Sequence, residues 1–240
     1  MSTALVEVRR ALKMGSTIAD QALTFIGNNE GDAAVAVVVQ EMTPAEVTSV
    51  VADFDMTKST VVSHHMTCDQ FIELVERIGL FIHEVKSLDP GGLRMIQDRL
   101  ESILMPILVM GNDCFYSERI EALLNLDYAY ELLALLAIDQ KDYEDFIRDP
   151  NKSMACRGTW QELFAEIYMS YPKTDYLNIL SVIENINDGV LEVSSDKEGY
   201  YNARDEKIVH IINSMVYRAR EKIASEKPEE TEEEQVFVDL

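Results

Sequence analysis

The chain has 240 residues, of which 47% are hydrophobic, so it is long enough and apolar enough to fold around a substantial core. Its 21 basic and 43 acidic residues give a formal net charge of −22 at pH 7. A chain this negative repels phosphate backbones and anionic lipid headgroups, which disfavours direct binding to nucleic acid or to a membrane and favours a basic protein, or the basic face of a larger assembly, as the partner.

The cysteines and the N-terminal segment bear on the compartment. Cys68, Cys114 and Cys156 are odd in number and far apart, a pattern typical of free thiols in a reducing compartment, so we expect a cytoplasmic protein. Charged residues at positions 7, 9 and 10 interrupt the stretch that a signal peptide needs to be apolar. The longest apolar run, residues 33–39, is too short to span a bilayer.

The first predicted helix covers residues 5–26. Its stripe of apolar and small residues, at alternating three- and four-residue steps, comprises Leu5, Val8, Leu12, Gly15, Ala19, Ala22 and Ile26. Such a stripe packs against another helix, either within the chain or in a second copy, so self-association through residues 5–26 is one expectation. Glycine and asparagine at 27–29 predict the helix end. The β-branched run that follows, through Gln40, fits a buried helix or a buried strand, and we favour the helix.

A second helix start is predicted at Thr43, where a hydroxyl N-cap precedes Pro44 and Glu46. We expect this helix to end near Asp53. Residues 55–66 then read as a connector, with a strand at 59–63 as an alternative.

The middle of the chain predicts two longer helices. Residues 67–70 match the capping-box pattern, and apolar residues follow on one helical face from Phe71 to Val85. Residues 89–92, Asp-Pro-Gly-Gly, predict a break. A second apolar face from Leu93 to Leu108 follows, with Pro106 expected to kink or end that helix.

The most apolar stretch, residues 120–138, predicts the most buried helix, beginning at Ser117. Further helices are predicted at residues 141–147, 159–170, 175–187 and 204–224. Residues 189–202 predict a β-hairpin, because a turn-forming Ser-Ser-Asp-Lys-Glu-Gly segment lies between Val-Leu-Glu-Val and two tyrosines.

The predicted fold class is therefore mostly α: an irregular bundle of about eight helices with one small hairpin near 189–202 and a disordered acidic C-terminal tail. We divide the chain into an N-terminal helical segment at 1–66, which is a candidate separate subdomain, a main helical domain at 67–224, and a flexible tail at 225–240.

Local motifs for chemistry are weak. His64, His65, Cys68 and Asp69 fall close together, but zinc needs a second recognisable ligand pair, so a polar helix entrance is the better interpretation. We find no glycine-rich phosphate loop after a predicted strand and no nucleophile motif in the sequence. We therefore predict no catalytic residue, no metal and no cofactor.

Acidic and aromatic residues alternate in three segments, at 113–118, 127–131 and 139–146. One interpretation is a solvated helix face that aids solubility. The other is an imitation of the spaced charges of a nucleic-acid backbone, which would occupy a basic groove on another protein.

The tail carries the predicted partner-binding residues. Residues 221–240 hold eight acidic residues and two lysines, a net charge of −6, and an acidic run precedes an apolar tip. The candidate residues are Glu232, Glu233, Glu234, Val236, Phe237, Val238, Asp239 and Leu240. An apolar anchor on an acidic tether suits a pocket with a basic rim. It is similar to the acidic tails with apolar tips of bacterial single-stranded-DNA-binding proteins and, loosely, to sliding-clamp-binding peptides, over about a dozen residues. There are two alternatives to partner binding by the tail. One is a plain solubilising segment, and the other is a tail whose Phe237 and Leu240 pack back on the body of the protein.

These features predict a non-enzymatic adaptor, assembly factor or inhibitor that engages a basic protein surface. The first alternative is a nucleic-acid mimic that blocks a DNA- or RNA-binding protein. The alternative of a different class is an enzyme whose site is assembled from distant residues.

Overall fold

The computed structural model of the chain describes residues 3–52, 61–89, 91–110, 114–138, 159–187 and 197–226. Those ranges hold twelve α-helices, which confirms the mostly helical class and shows that the expected number of about eight was too low. The helices are α1 Thr3–Leu12, α2 Ser16–Glu30, α3 Asp32–Glu41, α4 Pro44–Ala52, α5 Val61–His65, α6 Cys68–Glu76, α7 Gly92–Leu108, α8 Ser117–Leu124, α9 Ala129–Ala137, α10 Trp160–Ser170, α11 Lys173–Asn187 and α12 Lys197–Glu226.

The first predicted helix is in fact two, because the chain turns at Gly15. Its φ of 141° lies in a region that side-chain-bearing residues rarely adopt, so α1 ends and α2 begins around it. The prediction of a helix end at 27–29 was also wrong: α2 continues to Glu30, and the backbone N–H of Gly31 bonds to the carbonyl of Gly27 at 3.0 Å. Leu5, Val8 and other stripe residues are buried against α3 and α4.

The β-branched run forms helix α3, as favoured from the sequence. The start of α4 is confirmed as well: Thr43 Oγ1 accepts from the N–H of Glu46 at 3.2 Å, and Glu46 Oε2 accepts from the N–H of Thr43 at 2.8 Å. The connector prediction for 55–66 was wrong at its end, where Val61–His65 forms the short helix α5 rather than a strand. Residues 53–60 lie outside the described ranges.

The capping box of α6 is confirmed, but the helix stops at Glu76 instead of continuing to Val85. A 3₁₀ turn follows at Ile78–Phe81 and packs on α12. At Gly79 an added Cβ would lie 2.2 Å from the carbonyl oxygen of Met215, so only glycine allows this close approach of two backbones. The contact with α12 therefore replaces the predicted continuation of α6.

A small antiparallel strand pair was not expected between α7 and α8. Strand β1, Val109–Met110, pairs with strand β2, Cys114–Phe115, with Val109 opposite Phe115. The intervening sequence, Gly-Asn-Asp at 111–113, is a turn-forming signal that the helical interpretation overlooked. Asp89 Oδ1 accepts from the N–H of Gly91 at 3.0 Å, just before α7 begins, so the predicted break is confirmed.

The predicted central helix at 120–138 is two helices, α8 and α9, separated by Asn125–Tyr128. As expected, this is the most buried part of the chain: every residue from Leu132 to Ile138 is at most 1% exposed. Helices α10 and α11 lie close to the predicted bounds. The helix predicted at 141–147 lies outside the described ranges.

The predicted hairpin at 189–202 is wrong in its second half, because residues 197–202 form the first turns of α12. The β-propensity of two adjacent tyrosines is a preference of at most about 1 kcal/mol, too weak to oppose a helix that continues for 30 residues. The first half of that segment and the tail after Glu226 lie outside the described ranges.

The buried apolar side chains form one cluster that extends from Leu5 to Val216. The division of the chain at residue 66 stays a prediction, although side chains from both sides of it join this cluster. Within the described ranges no single helix has the length and apolar character of a membrane span; the pair Asp32–Glu41 and Pro44–Val51, bent by 116°, reaches them only when taken together.

Candidate functional site

Buried glutamines hold the ends of helices. Gln70 Nε2 donates to the carbonyls of Val39 and Met42 at 2.8 and 2.7 Å, which satisfies the C-terminus of α3. Gln97 Nε2 does the same for α9, donating to the carbonyls of Leu135, at 2.9 Å, and Ile138. These buried polar groups are occupied by the backbone and serve the fold.

Arg119 is a buried cation that joins two helix ends. Its side chain is 5% exposed, and its guanidinium donates to the carbonyls of Ser63 at 2.8 Å, of Ile107 at 2.6 Å and of Met66. The ring of Tyr116 lies 4.1 Å from the guanidinium carbon. Burial lowers the pKa of Arg119, and the negative ends of the α5 and α7 dipoles offset part of that cost.

The sequence neighbours His64, His65, Cys68 and Asp69 do not form a metal site. Among the described residues no three histidine, cysteine, aspartate or glutamate side chains are placed to hold a metal ion. Burial lowers the pKa of His64, which disfavours its charged form. Its carbonyl accepts from Tyr116 Oη at 3.0 Å.

Carboxylates from three helices converge around the first turn of α8. Cys68 Sγ lies 3.7 Å from the carbonyl oxygen of Glu118, and Tyr171 Oη donates to the carbonyl of the adjacent Ser117 at 2.8 Å. The pKa of Cys68 is raised by burial first and then by Asp69 and Glu118. The pKa of Tyr171 is raised by burial first and then by Glu166 and Glu121.

We call Asp69, Glu118, Glu121 and Glu166 the acidic face. Three of them are exposed and Glu166 is half-buried. Asp69 and Glu118 lie in first helical turns, where a carboxylate also stabilises the helix dipole, so part of this charge has a structural role.

The aromatic residues in the acid–aromatic segments are used within the fold. Tyr116 stacks on Arg119, Tyr130 Oη donates to Asp175 Oδ1 at 2.9 Å, and the guanidinium carbon of Arg218 lies 4.9 Å from the ring centroid of Tyr128. In the described part of the first two segments the aromatic rings are half-buried, whereas Glu118 and Asp127 are exposed. The third segment, 139–146, lies outside the described ranges.

A second feature has the opposite charge. A cleft of about 540 Å³ lies between α4, the 3₁₀ turn and α7, and we call it the cationic cleft. Its lining includes three basic side chains, Arg77, His83 and Arg99, and no carboxylate among the described residues. Apolar surface comes from Leu80, which is 40% exposed, and from Phe81, whose ring centroid is 5.9 Å from the guanidinium carbon of Arg99.

An ion-pair cluster borders the cationic cleft. Arg77 is buried and binds Glu73, with an Nη2 to Oε1 distance of 2.9 Å, and also the carboxylate of Glu226 at the end of α12. Lys222 of α12 binds Glu73 and Glu76 at 2.9 and 2.7 Å. These pairs fasten the C-terminal turns of α12 to α6, next to the cleft.

The predicted partner-binding residues, from Glu232 to Leu240, lie outside the described residues, so their role stays a prediction. The cationic cleft was not found from the sequence. A signal was available: residues 77–99 hold four arginines and lysines against three acidic residues, a net charge of +1 in a chain of −22. Comparison with protein-family models, with curated protein sequences and with solved structures finds no match for this chain.

Proposed function

We propose that this protein is a non-enzymatic binding protein, acting as an adaptor, assembly factor or inhibitor, that engages a basic protein surface through its acidic face and its C-terminal tail. The observation that supports the proposal most directly is the placement of Cys68 and Tyr171 at the carbonyls of Glu118 and Ser117, which brings α6 and the end of α10 to the first turn of α8 with Asp69 and Glu118 near Cys68 and Glu121 and Glu166 near Tyr171. Asp69, the pair Glu118 and Glu121, and Glu166 come from three separate segments of the sequence, so the fold is needed to bring them to one part of the surface.

The use of buried polar groups also favours binding over catalysis. Gln70, Gln97 and Arg119 are committed to helix ends through backbone carbonyls. A catalytic site needs titratable groups directed into a cleft where a substrate fits. The cationic cleft offers arginines and a histidine, which suit the binding of an anion more than acid–base chemistry with paired carboxylates.

The C-terminal tail adds a second contact to the proposal, on the evidence of its sequence. Its acidic run has the charge that complements a basic rim, and Val236, Phe237 and Val238 supply an apolar anchor. Two linked contacts bind more tightly than either alone, because the second contact forms within the same complex.

The test is an affinity capture from native cell extract with two charge variants of the full-length protein. Glu118→Lys/Glu121→Lys reverses two exposed charges of the acidic face. Glu184→Lys/Glu206→Lys is the matched control, since it makes the same change in net charge at exposed positions on α11 and α12. We expect a partner that the wild type and the control retain and that the acidic-face variant loses.

Two results would contradict the proposal. Equal loss of the partner by both variants would mean that capture of the partner depends on net charge alone. Retention by both variants would mean that the acidic face does not bind the partner. A third comparison uses a chain truncated after Glu226, which keeps the pair between Glu226 and Arg77, and loss of the partner there assigns the tail contact.

A further inference from the structure

The exposed face of helix α2 is almost free of charge. Its exposed residues are Thr17, Ile18, Gln21, Thr24, Phe25, Asn28, Asn29 and Glu30. Of these only Glu30, the last residue of the helix, is charged. Phe25 is 68% exposed and Ile18 is 39% exposed, and their spacing of seven residues places them on one side of the helix. In a chain of net charge −22, an uncharged helix face with an exposed aromatic ring is typical of the centre of an interface.

The opposite face of α2 is used within the fold. Ala19 and Ile26, which belong to the stripe that predicts self-association through residues 5–26, are buried in the core. Helices α1, α3 and α4 pack around α2. A second copy of the chain would therefore meet the outward face of α2, which carries Ile18 and Phe25.

The two ends of α2 differ in charge. Arg10 and Lys13, which are exposed, lie just before the helix. Glu30 ends the helix and Asp32 follows it, and both are exposed. The first turn of α2 holds no acidic residue and the last turn no basic one, so neither end of the helix dipole is matched within α2. A second α2 in antiparallel orientation supplies the opposite charge at each end.

The charge around α2 also favours a second copy as the occupant. Residues 3–29 hold three basic and two acidic side chains, a net charge of +1, whereas the whole chain carries −22. Two such chains repel each other wherever carboxylates are brought together, because like charges at a contact are destabilising. Contact through α2 avoids that repulsion.

We propose that two copies of this protein associate through the exposed faces of α2, antiparallel about a two-fold axis near Gln21. Ile18 of one copy then packs against Phe25 of the other, and Lys13 faces Glu30, each contact being formed twice. One register produces both contacts, because Lys13 precedes Ile18 by as many residues as Glu30 follows Phe25.

The expected dimer is weak. The contact extends along one helix of 15 residues. Interfaces below about 1,200 Å² in total are typical of transient complexes, so we expect a dissociation constant on the order of 10–100 μM. The inference goes beyond the proposed function and does not rest on it, because self-association requires no other protein.

The test is sedimentation equilibrium of the purified full-length chain between about 5 and 500 μM, which distinguishes the 27.2 kDa chain from its dimer by mass. Phe25→Glu places a carboxylate in the contact and is expected to raise the dissociation constant at least about tenfold. Met95→Glu is the matched control, because Met95 is 74% exposed on α7 and the change in charge is the same. We expect this control to leave the dissociation constant unchanged.

A charge exchange tests the antiparallel register. Lys13→Glu and Glu30→Lys each place like charges opposite one another, twice in the dimer, and are expected to weaken it at least about threefold. The double variant Lys13→Glu/Glu30→Lys has the net charge of the wild type and the same pairing with the signs exchanged. It is expected to restore the dissociation constant.

A disulfide tests the position of the axis. With Cys68, Cys114 and Cys156 replaced by serine, Gln21→Cys is expected to form a disulfide-linked dimer under a mild oxidant. Asn28→Cys is the control on the same exposed face. The two copies of position 28 are about 20 Å apart in this arrangement, too far for a disulfide, so this variant is expected to stay reduced.

Four results would overturn the proposal. One is a chain that stays monomeric up to about 500 μM, and loss of a captured partner by Phe25→Glu would then assign the face to another protein. Another is a dimer that Phe25→Glu leaves intact, with circular dichroism showing that the variant folds. The third is equal weakening by Met95→Glu. The last is a double charge variant as weak as the single ones together with equal disulfide formation at positions 21 and 28. None of these bears on the acidic-face capture experiment, which measures a different surface.

Discussion

Replacing the buried Arg119 by methionine is expected to be among the most destabilising changes in α8. The guanidinium donates to the carbonyls of Ser63 and Ile107 at 2.8 and 2.6 Å and to that of Met66, and the residue is 5% exposed. Methionine has similar length but no donor, so the three carbonyls would lose their partners in a place that water does not reach.

The expected loss in the free energy of unfolding follows from these three hydrogen bonds. A buried polar group without a partner costs about 1–3 kcal/mol, and removing the buried cation recovers part of its desolvation cost. We therefore expect a net loss of about 2–4 kcal/mol in the free energy of unfolding. For a chain of this size that corresponds to a decrease in Tm of roughly 5–15 °C.

The assay is urea unfolding followed by circular dichroism, with Arg220→Met as the control. Arg220 pairs with Glu84 at 2.9 Å, but both side chains are more than half exposed, so this pair should contribute less than about 1 kcal/mol. A loss for Arg119→Met no larger than that for Arg220→Met would refute the assignment of Arg119 as the link between α5 and α7.

Three further changes test other parts of the fold. Gly79→Ala places a Cβ 2.2 Å from the carbonyl oxygen of Met215 and should cost more than about 3 kcal/mol in urea unfolding, whereas at Gly91 the nearest atom is 3.5 Å away and Gly91→Ala should be nearly neutral; equal effects would be inconsistent with the backbone contact. Burial acts to raise the pKa of Glu73, but hydrogen bonds from Lys222 and Arg77 outweigh it and lower that pKa below its ordinary value. The resulting stability is present above the ordinary pKa of a glutamate and is lost as the pH falls through the lowered one, so Lys222→Met should reduce the free energy of unfolding by about 1 kcal/mol at pH 7 and hardly at all near pH 2. A loss of stability in Lys222→Met that persists near pH 2 would contradict this role of the pair between Lys222 and Glu73. The raised pKa of Cys68, caused by burial and then by Asp69 and Glu118, predicts that iodoacetamide labels Cys68 more slowly than the exposed Cys114 at pH 8, as read by peptide mass spectrometry; equal rates would argue against the negative environment of Cys68.

Local sequence signals were sufficient where a short segment determines its own structure. The capping boxes at Thr43 and Thr67 need only residues three apart, and both are present. The β-branched run forms helix α3, in which Val35, Val38 and Val39 lie on one face and are buried against neighbouring helices. The mostly helical class followed from such segments.

Sequence signals failed where contacts with a distant part of the chain determine the local structure. The early end of α6 depends on Gly79 meeting the backbone of α12, which lies 136 residues later. The break at Gly15 has no local marker besides the glycine itself, since an apolar stripe at helical spacing continues through it. The second half of the hairpin was wrong because the helix predicted from residue 204 begins at Lys197 and includes both tyrosines.

The same limit applies to the candidate sites. The acidic face draws on α6, α8 and α10, and the cationic cleft draws on α4, the 3₁₀ turn and α7, so neither exists within one segment. The sequence did mark the tail, because its composition alone is unusual.

The salt dependence of affinity is the most direct test of the proposal that the acidic face binds a basic protein. The measurement is the dissociation constant of the captured partner, by isothermal titration calorimetry, for the wild type and for Glu118→Lys/Glu121→Lys between about 50 and 500 mM salt. We expect the wild-type affinity to fall at least about tenfold over that range, and the variant to start weaker and change less. A wild-type affinity that does not respond to salt, or a variant with the same affinity and the same salt dependence as the wild type, would contradict the claim.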